Sequence, residues 1–240
     1  MSEKPVGEAL PDWQEPPRPN SDPLDGRYAR LERLCAETHV GDLYRANMDQ
    51  PERGIWTYLP YGPFTSQASY YKWVREMAGM DDPWFWAVKD KETGRFCGVA
   101  SYLRIKPESG SIEVGHINFA PSLQRTRAGT EAMYLMMKWA FEAGYRRYEW
   151  KCNALNRPSR VAAQRLGFSY EGVFRQATIS KGRNRDTAWF AAIDQEWPAL
   201  KVAFEAWLAP SNFDANGQQI ERLADLTALV RVASDPSLEG

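Results

Sequence analysis

The segment from Ala120 to Gly129 joins a predicted strand to a predicted helix, and such a junction can bind an anion. The strand covers Ile112 to Phe119, and the helix runs from about Thr130 to Ala143. At the start of a helix several backbone N–H groups have no partner within the helix, and the helix dipole adds a positive partial charge. The sequence therefore predicts a binding site for a phosphate group at this junction.

A second feature is the concentration of basic residues between Tyr145 and Asp186. This stretch holds ten lysines and arginines against three acidic residues. This many cations can bind several phosphate groups of a ligand. For most of these residues, considered one at a time, the alternative is that they form a solvated basic surface.

Between Trp84 and Ile193, hydrophobic periodicity predicts the elements that must position these features, in the order strand, strand, strand, helix, strand, short helix, strand, strand. This order is typical of a mixed α+β fold, with an antiparallel meander in its first half. The predicted strands are Arg27 to Cys35, Trp84 to Lys89, Arg95 to Ile105, Ser111 to Phe119, Tyr145 to Cys152, Phe168 to Ser180 and Arg185 to Ile193. The predicted helices are Thr38 to Met48, Thr65 to Met77, Thr130 to Ala143, a short one opened by Asn156, an amphipathic one after Glu196 and one within Ile220 to Val230.

Length and composition favour a single domain with extensions at both ends. The chain has 240 residues, of which 43% are hydrophobic, so it can bury a substantial core. We expect an extended, proline-rich arm over residues 1–26, a domain over residues 27–197 and a helical extension over residues 198–240.

The charge balance and the cysteines limit the classes of protein to consider. The net charge is −1, unlike the strongly basic character of most nucleic-acid-binding proteins. The three cysteines lie far apart and indicate neither a disulfide framework nor a zinc site, and no apolar run approaches the length of a membrane span. We therefore expect a soluble, cytoplasmic protein with no metal, no membrane association and no nucleic-acid partner.

Two motifs bring the chain close to a known family. The segment from Gln124 to Ala132, QRTRAGTEA, resembles the GNAT signature Gln/Arg-x-x-Gly-x-Gly/Ala, in which Gln124 and Gly129 match. The second block, Cys152 to Ser159 followed by Ala162 to Phe168, resembles the Asn-x-x-Ser and Leu-Gly-Phe pattern of the RimJ/RimL branch. Glu113-Val114-Gly115-His116 and Asp186 agree with the same family. Over about residues 27 to 197 the chain thus resembles GNAT superfamily N-acetyltransferases.

This resemblance implies a central, mostly antiparallel twisted sheet flanked by helices. The sheet is expected to splay between the strands Ile112 to Phe119 and Tyr145 to Cys152, where the pantetheine arm of acetyl-CoA pairs with backbone groups. Acetyl-CoA is then the cosubstrate, with its pyrophosphate at the loop before the central helix. The expected coenzyme-binding residues are Ile117, Asn118, Phe119, Gln124, Arg125, Thr126, Arg127, Ala128, Gly129, Thr130, Asn156 and Ser159.

Arg127 departs from the family pattern, because it stands where the signature has its middle glycine. Glycine lets a backbone approach phosphates without a Cβ in the way. Two alternatives follow. Either the arginine side chain points outward and bonds a phosphate itself, or the loop has lost some affinity for the coenzyme.

Acetyl transfer requires a neutral amine, whereas a free lysine amine has a pKa near ~10.4, so a base must remove a proton. By motif position the candidates are Glu113 and His116. In a regular strand they would face opposite sides, because their separation is odd, unless a bulge intervenes. We expect a backbone N–H near Ile117 or Asn118 to stabilise the oxyanion, and the Ser159 hydroxyl to serve the leaving thiolate.

An acceptor pocket lined by aromatic residues is the last element of the predicted site. Its candidates are Trp56, Tyr58, Tyr61, Trp84, Trp86 and Tyr102, for which core packing is the alternative. Cys152 lies beside the site, but no His with Asp or Asn follows it at a recognisable spacing, so we expect a buried structural cysteine rather than a nucleophile.

The predicted function is transfer of an acetyl group from acetyl-CoA to a primary amine of a small molecule or of a protein N-terminus. A catalytically inactive coenzyme A-binding protein is the alternative. Beyond the domain, Trp207 and Leu208 at helical spacing suggest either a homodimer contact or packing on the chain's own domain.

Overall fold

The structure, a computed structural model, describes residues 4–238 and contains eight strands and six α-helices over that range. The strands are β1 Leu24–Asp25, β2 Ala29–Arg33, β3 Trp84–Asp90, β4 Arg95–Lys106, β5 Ser111–Phe119, β6 Arg147–Asn153, β7 Ser169–Ser180 and β8 Arg183–Ile193. The helices are α1 Ala36–Met48, α2 Gln67–Ala78, α3 Arg127–Glu142, α4 Arg157–Arg165, α5 Trp197–Leu208 and α6 Leu223–Ala228.

The eight strands form one sheet in the order β1-β2-β3-β4-β5-β6-β8-β7. Neighbouring strands run antiparallel except β5 and β6, which are parallel. Helix α3 makes the crossover between these two strands, as a parallel connection requires. The predicted α+β fold with a mostly antiparallel sheet is therefore confirmed.

Strands β5 and β6 pair along only part of their length. Residues 111–114 pair with residues 147–150, and the pairing ends there. Beyond that point β5 stays with β4 through Phe119, and β6 stays with β8 through Asn153. The two facing edges separate, so the predicted splay in the sheet is confirmed.

Helix α3 begins at Arg127, three residues before the predicted start at Thr130. Thr126 caps the helix, because its Oγ1 accepts a hydrogen bond of 2.9 Å from the N–H of Gly129. The apolar periodicity that suggested the start does not extend into this first turn. As a result, the helix N-terminus lies within the phosphate motif itself rather than after it.

The two faces of the sheet bury two separate cores, which together fix the sheet that carries β5. Alternate residues of β3 show this arrangement: Trp86 packs in the core with α3 and α5, whereas Phe85 packs in the core with α1 and α2. Each fully buried side chain of this size contributes about 1.5 to 3 kcal/mol relative to exposure. A strand held on both faces can carry polar groups at its end without losing its position.

The segments on either side of the sheet domain contact the body through particular residues. The N-terminal residues run extended, and the carbonyl of Pro17 accepts a hydrogen bond from Tyr145 Oη. Helix α5 packs against α3, and Trp207 and Leu208 are only 4% and 8% exposed within the single chain. These two side chains serve internal packing, so the alternative of a homodimer contact through them is wrong. In the range 4–238, no helix has both the length and the apolar character needed to cross a bilayer.

Candidate functional site

A long cleft opens where β5 and β6 separate. It is lined by β5, the loop before α3, the first turns of α3 and α4, β6, the β7–β8 hairpin and the connector between α1 and α2. The predicted phosphate loop lies at one end, and the two candidate bases lie on β5 toward the other. Among residues 4–238 no group of three His, Cys, Asp or Glu side chains is arranged to hold a metal ion.

The loop before α3 leaves backbone donors free at one end of the cleft. The N–H groups of Arg127 and Ala128 have no acceptor among the described residues. Gln124 Nε2 donates to the carbonyl of Phe119 at 2.8 Å and so ties the loop to the end of β5. A Cβ at Gly129 would lie 2.5 Å from the carbonyl oxygen of Leu123, so the loop closes only over a glycine. This arrangement can hold a phosphate.

Arg127 lies in the first turn of α3 with a negative φ, so this position does not need a glycine for its backbone conformation. Its guanidinium carbon lies 5.1 Å from the ring centre of Tyr28 and 4.8 Å from that of Phe213. These rings hold the side chain at the rim of the cleft, where it is free to bond an anion.

The basic stretch between residues 145 and 186 divides between the cleft and the rest of the molecule. Arg165 lines the cleft, donates to Thr130 Oγ1 at 3.2 Å and lies over the ring of Trp207. Arg160 instead forms a buried ion pair with Asp235 at 2.6 Å, away from the cleft. Only part of this charge is therefore available to a ligand.

Asn156 and Ser159 lie together at the start of α4. Asn156 caps the helix by accepting a hydrogen bond from the N–H of Ser159 at 3.3 Å. Ser159 Oγ accepts a hydrogen bond of 3.1 Å from Trp150 Nε1, so its own proton remains available to a further acceptor. Both residues line the cleft. Cys152 lies beside them, and its burial raises the pKa of its thiol, which disfavours the nucleophilic thiolate.

A β-bulge at His116 decides how the two candidate bases are arranged. Asn118 pairs with Val99 and Gly115 pairs with Ser101, so two residues of β5 lie opposite one residue of β4. His116 has a φ of 50° at this bulge. The extra residue reverses the alternation, and His116 joins Glu113 on the same face of the sheet, where both line the cleft.

Glu113 is buried and belongs to a charged cluster. Its Oε2 lies 2.6 Å from Arg104 Nη1 and 2.9 Å from Lys151 Nζ. Burial raises the pKa of Glu113 above its ordinary value, although both cations oppose that shift. Its other oxygen, Oε1, forms no bond within residues 4–238, and Gly115 leaves space beside it. This carboxyl group combines raised basicity with one free oxygen.

His116 packs between aromatic rings. Its imidazole stacks on the ring of Tyr61, with the ring centres 5.6 Å apart. It also packs against Phe85, with a distance of 5.2 Å between the ring centres. Burial, assisted by the positive charges of Arg104 and Arg185, lowers the pKa of His116 to about 4. The ring is therefore neutral at physiological pH and a weaker base than an ordinary histidine.

Three of the aromatic residues predicted to line an acceptor pocket lie elsewhere. Trp86 and Tyr102 are 1% and 0% exposed in the core, and Tyr102 Oη donates to the carbonyl of Met136. Their prediction is wrong because both side chains point to the face of the sheet that α3 and α5 cover. Trp84 lies under the guanidinium of Arg33, 3.8 Å from the ring centre, and does not line the cleft.

The other three belong to the connector between α1 and α2. Trp56 and Tyr61 pack into the core of α1 and α2 and support the wall of the cleft without lining it. Tyr58 lines the cleft, and its hydroxyl donates to the carbonyl of Leu155 at 3.1 Å. The connector thus bridges to the residues before α4.

Several residues that line the cleft were assigned no individual role in the site from the sequence. Arg104, Lys151, Trp189 and Arg185 line the cleft, and Lys151 Nζ lies 3.6 Å from the ring centre of Trp189. A period of two places Glu149 and Lys151 on one face of β6 and could have marked a charged strand face. The contact between this face and Glu113 depends on the β5–β6 register, which no local pattern predicts.

Comparisons with known proteins agree with this geometry. Residues 30–169 match the family model described as Acetyltransferase (GNAT) domain. A GCN5-related N-acetyltransferase from Brucella melitensis, known from a crystal structure, is 45% identical with a TM-score of 0.89. The match covers 91% of this chain and 100% of that one. No curated protein matches the chain.

Two more distant structures share the fold. An acetyltransferase from Salmonella typhimurium that modifies the N-terminal serine of ribosomal protein L7/L12 is 21% identical with a TM-score of 0.61. RimL, a ribosomal L7/L12 α-N-protein acetyltransferase in complex with coenzyme A, is 21% identical with a TM-score of 0.62. Each match covers 72% of this chain and 99% of the other. At this identity the likeness shows the fold alone.

Proposed function

Since the chain belongs to the GNAT family of acetyl-CoA-dependent N-acetyltransferases, we propose that it acetylates a primary amine in the cleft between β5 and β6. The amine belongs to a small molecule or to a protein N-terminus, and it attacks the thioester directly. The observation that carries this proposal is the meeting of three features in one cleft: the splayed strands, the glycine-closed loop at α3 and the buried carboxylate of Glu113.

The residues present fit the coenzyme. The edge of β5 from Ile117 to Phe119 faces the gap and can pair with the amides of pantetheine. Within the loop from Gln124 to Thr130, the N–H groups of Arg127 and Ala128 are free to bond the pyrophosphate, and the Arg127 side chain offers a charge-assisted hydrogen bond. Asn156 and Ser159 lie across the gap from β5. Acetyl-CoA supplies the acetyl group as an activated thioester.

Glu113 is the proposed proton acceptor. Its Oε1 is free, its pKa is raised by burial, and its neighbours Arg104 and Lys151 hold the carboxylate in one orientation. His116 shares the cleft but has a pKa of about 4, which makes it the weaker base. We therefore assign His116 a positioning role beside Glu113, in which its ring fills the wall between Tyr61 and the acceptor.

The remaining steps fall to groups already in place. The carbon–nitrogen bond forms first, the amine proton passes to Glu113, and the carbon–sulfur bond then breaks. The departing thiolate accepts a hydrogen bond from the Ser159 hydroxyl and takes its proton from water. A backbone N–H at the bulge near Ile117 or Asn118 stabilises the negative charge on the acetyl oxygen. Tyr58 lines the path by which the amine enters.

Thiol release from acetyl-CoA tests this proposal, measured with the 240-residue chain across amino acids, peptides and other primary amines. We expect acetyl-CoA to bind in calorimetry and thiol to be released with at least one acceptor. Binding without thiol release for any amine would instead support an inactive coenzyme A-binding protein. No binding at all would refute both functions.

A further inference from the structure

Arg185 brings a positive charge into the acceptor side of the cleft without a counterion. It lies on β8, is half-buried, and lines the same cleft as Glu113 and His116. Its Nε is buried without a hydrogen-bond partner, and its guanidinium forms no ion pair within residues 4–238. A buried donor without a partner costs free energy. A group from outside the chain can supply the missing partner.

The carboxylates nearby are already committed to other cations. They belong to an alternating network in which three cations balance three carboxylates. Its members, in order, are Arg104, Glu113, Lys151, Glu149, Arg147 and Glu171. The adjacent Asp186 accepts hydrogen bonds from the backbone N–H of Gln176 and from Asn184. Among the residues that the structure describes, Arg185 thus has no carboxylate partner to balance its charge.

The position of Arg185 associates it with the acceptor rather than with the coenzyme phosphates. Arg185 alternates with Thr187 and Trp189 along β8, and all three line the cleft. The ring centre of Trp189 lies 3.6 Å from Lys151 Nζ, which contacts Glu113 Oε2 at 2.9 Å. The effect of the Arg185 charge on the pKa of His116 agrees with this placement. Arg127 and Arg165 lie at the other end, around the start of α3. A ligand group held by Arg185 would thus lie close to Glu113, where the amine must lose its proton.

We propose that Arg185 binds a carboxylate of the acceptor, so that the preferred acceptor is a primary amine carrying a carboxylate close to its amino group. This inference rests on the proposed function, because it names the acceptor class of the same cleft. The planar guanidinium pairs with a carboxylate through two parallel hydrogen bonds. The carboxylate comes either from a free amino acid or from an acidic residue at a peptide N-terminus. Polyamines and basic peptides are disfavoured, because the charge of Arg185, which no carboxylate balances, faces them.

Matched acceptors test this inference. Thiol release is measured for free amino acids against their carboxamides, and for dipeptide amides that begin with Asp against those that begin with Asn. We expect kcat/KM to favour the carboxylate member of one of these pairings by about 10- to 100-fold, as charge-assisted hydrogen bonds allow. The pairing that shows the preference identifies the source of the carboxylate. Arg185→Gln should abolish the preference, and Arg185→Lys should restore part of it.

Arg183→Gln is the matched control, because Arg183 is exposed on the same hairpin and does not line the cleft. Calorimetry on the complex of the protein with coenzyme A measures the affinity for the same acids and amides, so the comparison is repeated without turnover. Equal kcat/KM and equal binding for acid and amide would overturn the inference, as would a panel in which no carboxylate-bearing amine binds. A loss of acetyl-CoA affinity in Arg185→Gln with the preference intact would assign Arg185 to the coenzyme. Turnover of carboxylate-free amines alone would refute only this inference and leave the acetyltransferase proposal standing.

Discussion

Replacing Glu113 with Gln removes the proposed proton acceptor while keeping its size. General-base catalysis contributes about 10²- to 10⁴-fold to a rate, so kcat should fall by that range while the Kd for acetyl-CoA stays unchanged. The stability cost can be worked out from the partners. Arg104 is 54% exposed and becomes solvated, and Lys151 keeps Glu149 at 2.7 Å. We therefore expect a loss of about 1 to 2 kcal/mol, below the ~3 to 5 kcal/mol of a buried charge left alone.

The assay combines steady-state thiol release, calorimetric binding of acetyl-CoA and thermal unfolding. Glu149→Gln is the control, since Glu149 shares the contact with Lys151 but does not line the cleft. This control should lose similar stability and keep its kcat. A Glu113→Gln variant that retains kcat within about threefold, against the ~10²-fold or larger effect of a general base, would refute the role given to this residue.

Three further outcomes follow from the structure. Gly129→Ala places a Cβ 2.5 Å from a backbone oxygen and should weaken acetyl-CoA binding in calorimetry by about tenfold or more, whereas Gly41→Ala, which meets open space, should leave the Kd unchanged. His116 has a folded pKa of about 4 against an ordinary 6.5, so the stability it contributes is full above pH 6.5 and is lost as the pH falls to 4. Denaturant unfolding measures this loss: between pH 6.5 and pH 4 the unfolding free energy of the wild type should fall by up to about 3 kcal/mol more than that of His116→Gln. Equal losses would contradict the burial of the ring. Asp235→Ala leaves the buried Arg160 unpaired and should lower the unfolding free energy by about 3 to 5 kcal/mol, and an unchanged melting temperature would show that the C-terminal segment is not anchored there.

Most of the fold could be predicted because the signals were local. The order of strands and helices followed from periodicity, and the phosphate loop followed from the residues between Gln124 and Thr130. The start of α3 was placed one turn late, because a capping threonine leaves no trace in hydrophobic spacing. The wrong placement of Trp86 and Tyr102 has a different cause. Their strands are covered on both faces, so alternation could not separate wall from core.

The charged part of the site depends on contacts between distant segments. Glu113 was identified by its motif, but Arg104 and Lys151 reach it only through the register of β4 and β6 against β5. The relation of Glu113 to His116 depends on a bulge, which the sequence left as an alternative. Arg185 stood in a stretch of many basic residues, and only the pairing of the other charges distinguishes it.

A crystal structure of the protein with acetyl-CoA tests the central claim most directly. The account predicts pantetheine amides paired with the backbone of Ile117 to Phe119, the pyrophosphate on the N–H groups between Gln124 and Thr130, and the acetyl carbon near Glu113 Oε1. A coenzyme bound outside the gap between β5 and β6, or an acetyl group out of reach of Glu113, would contradict it.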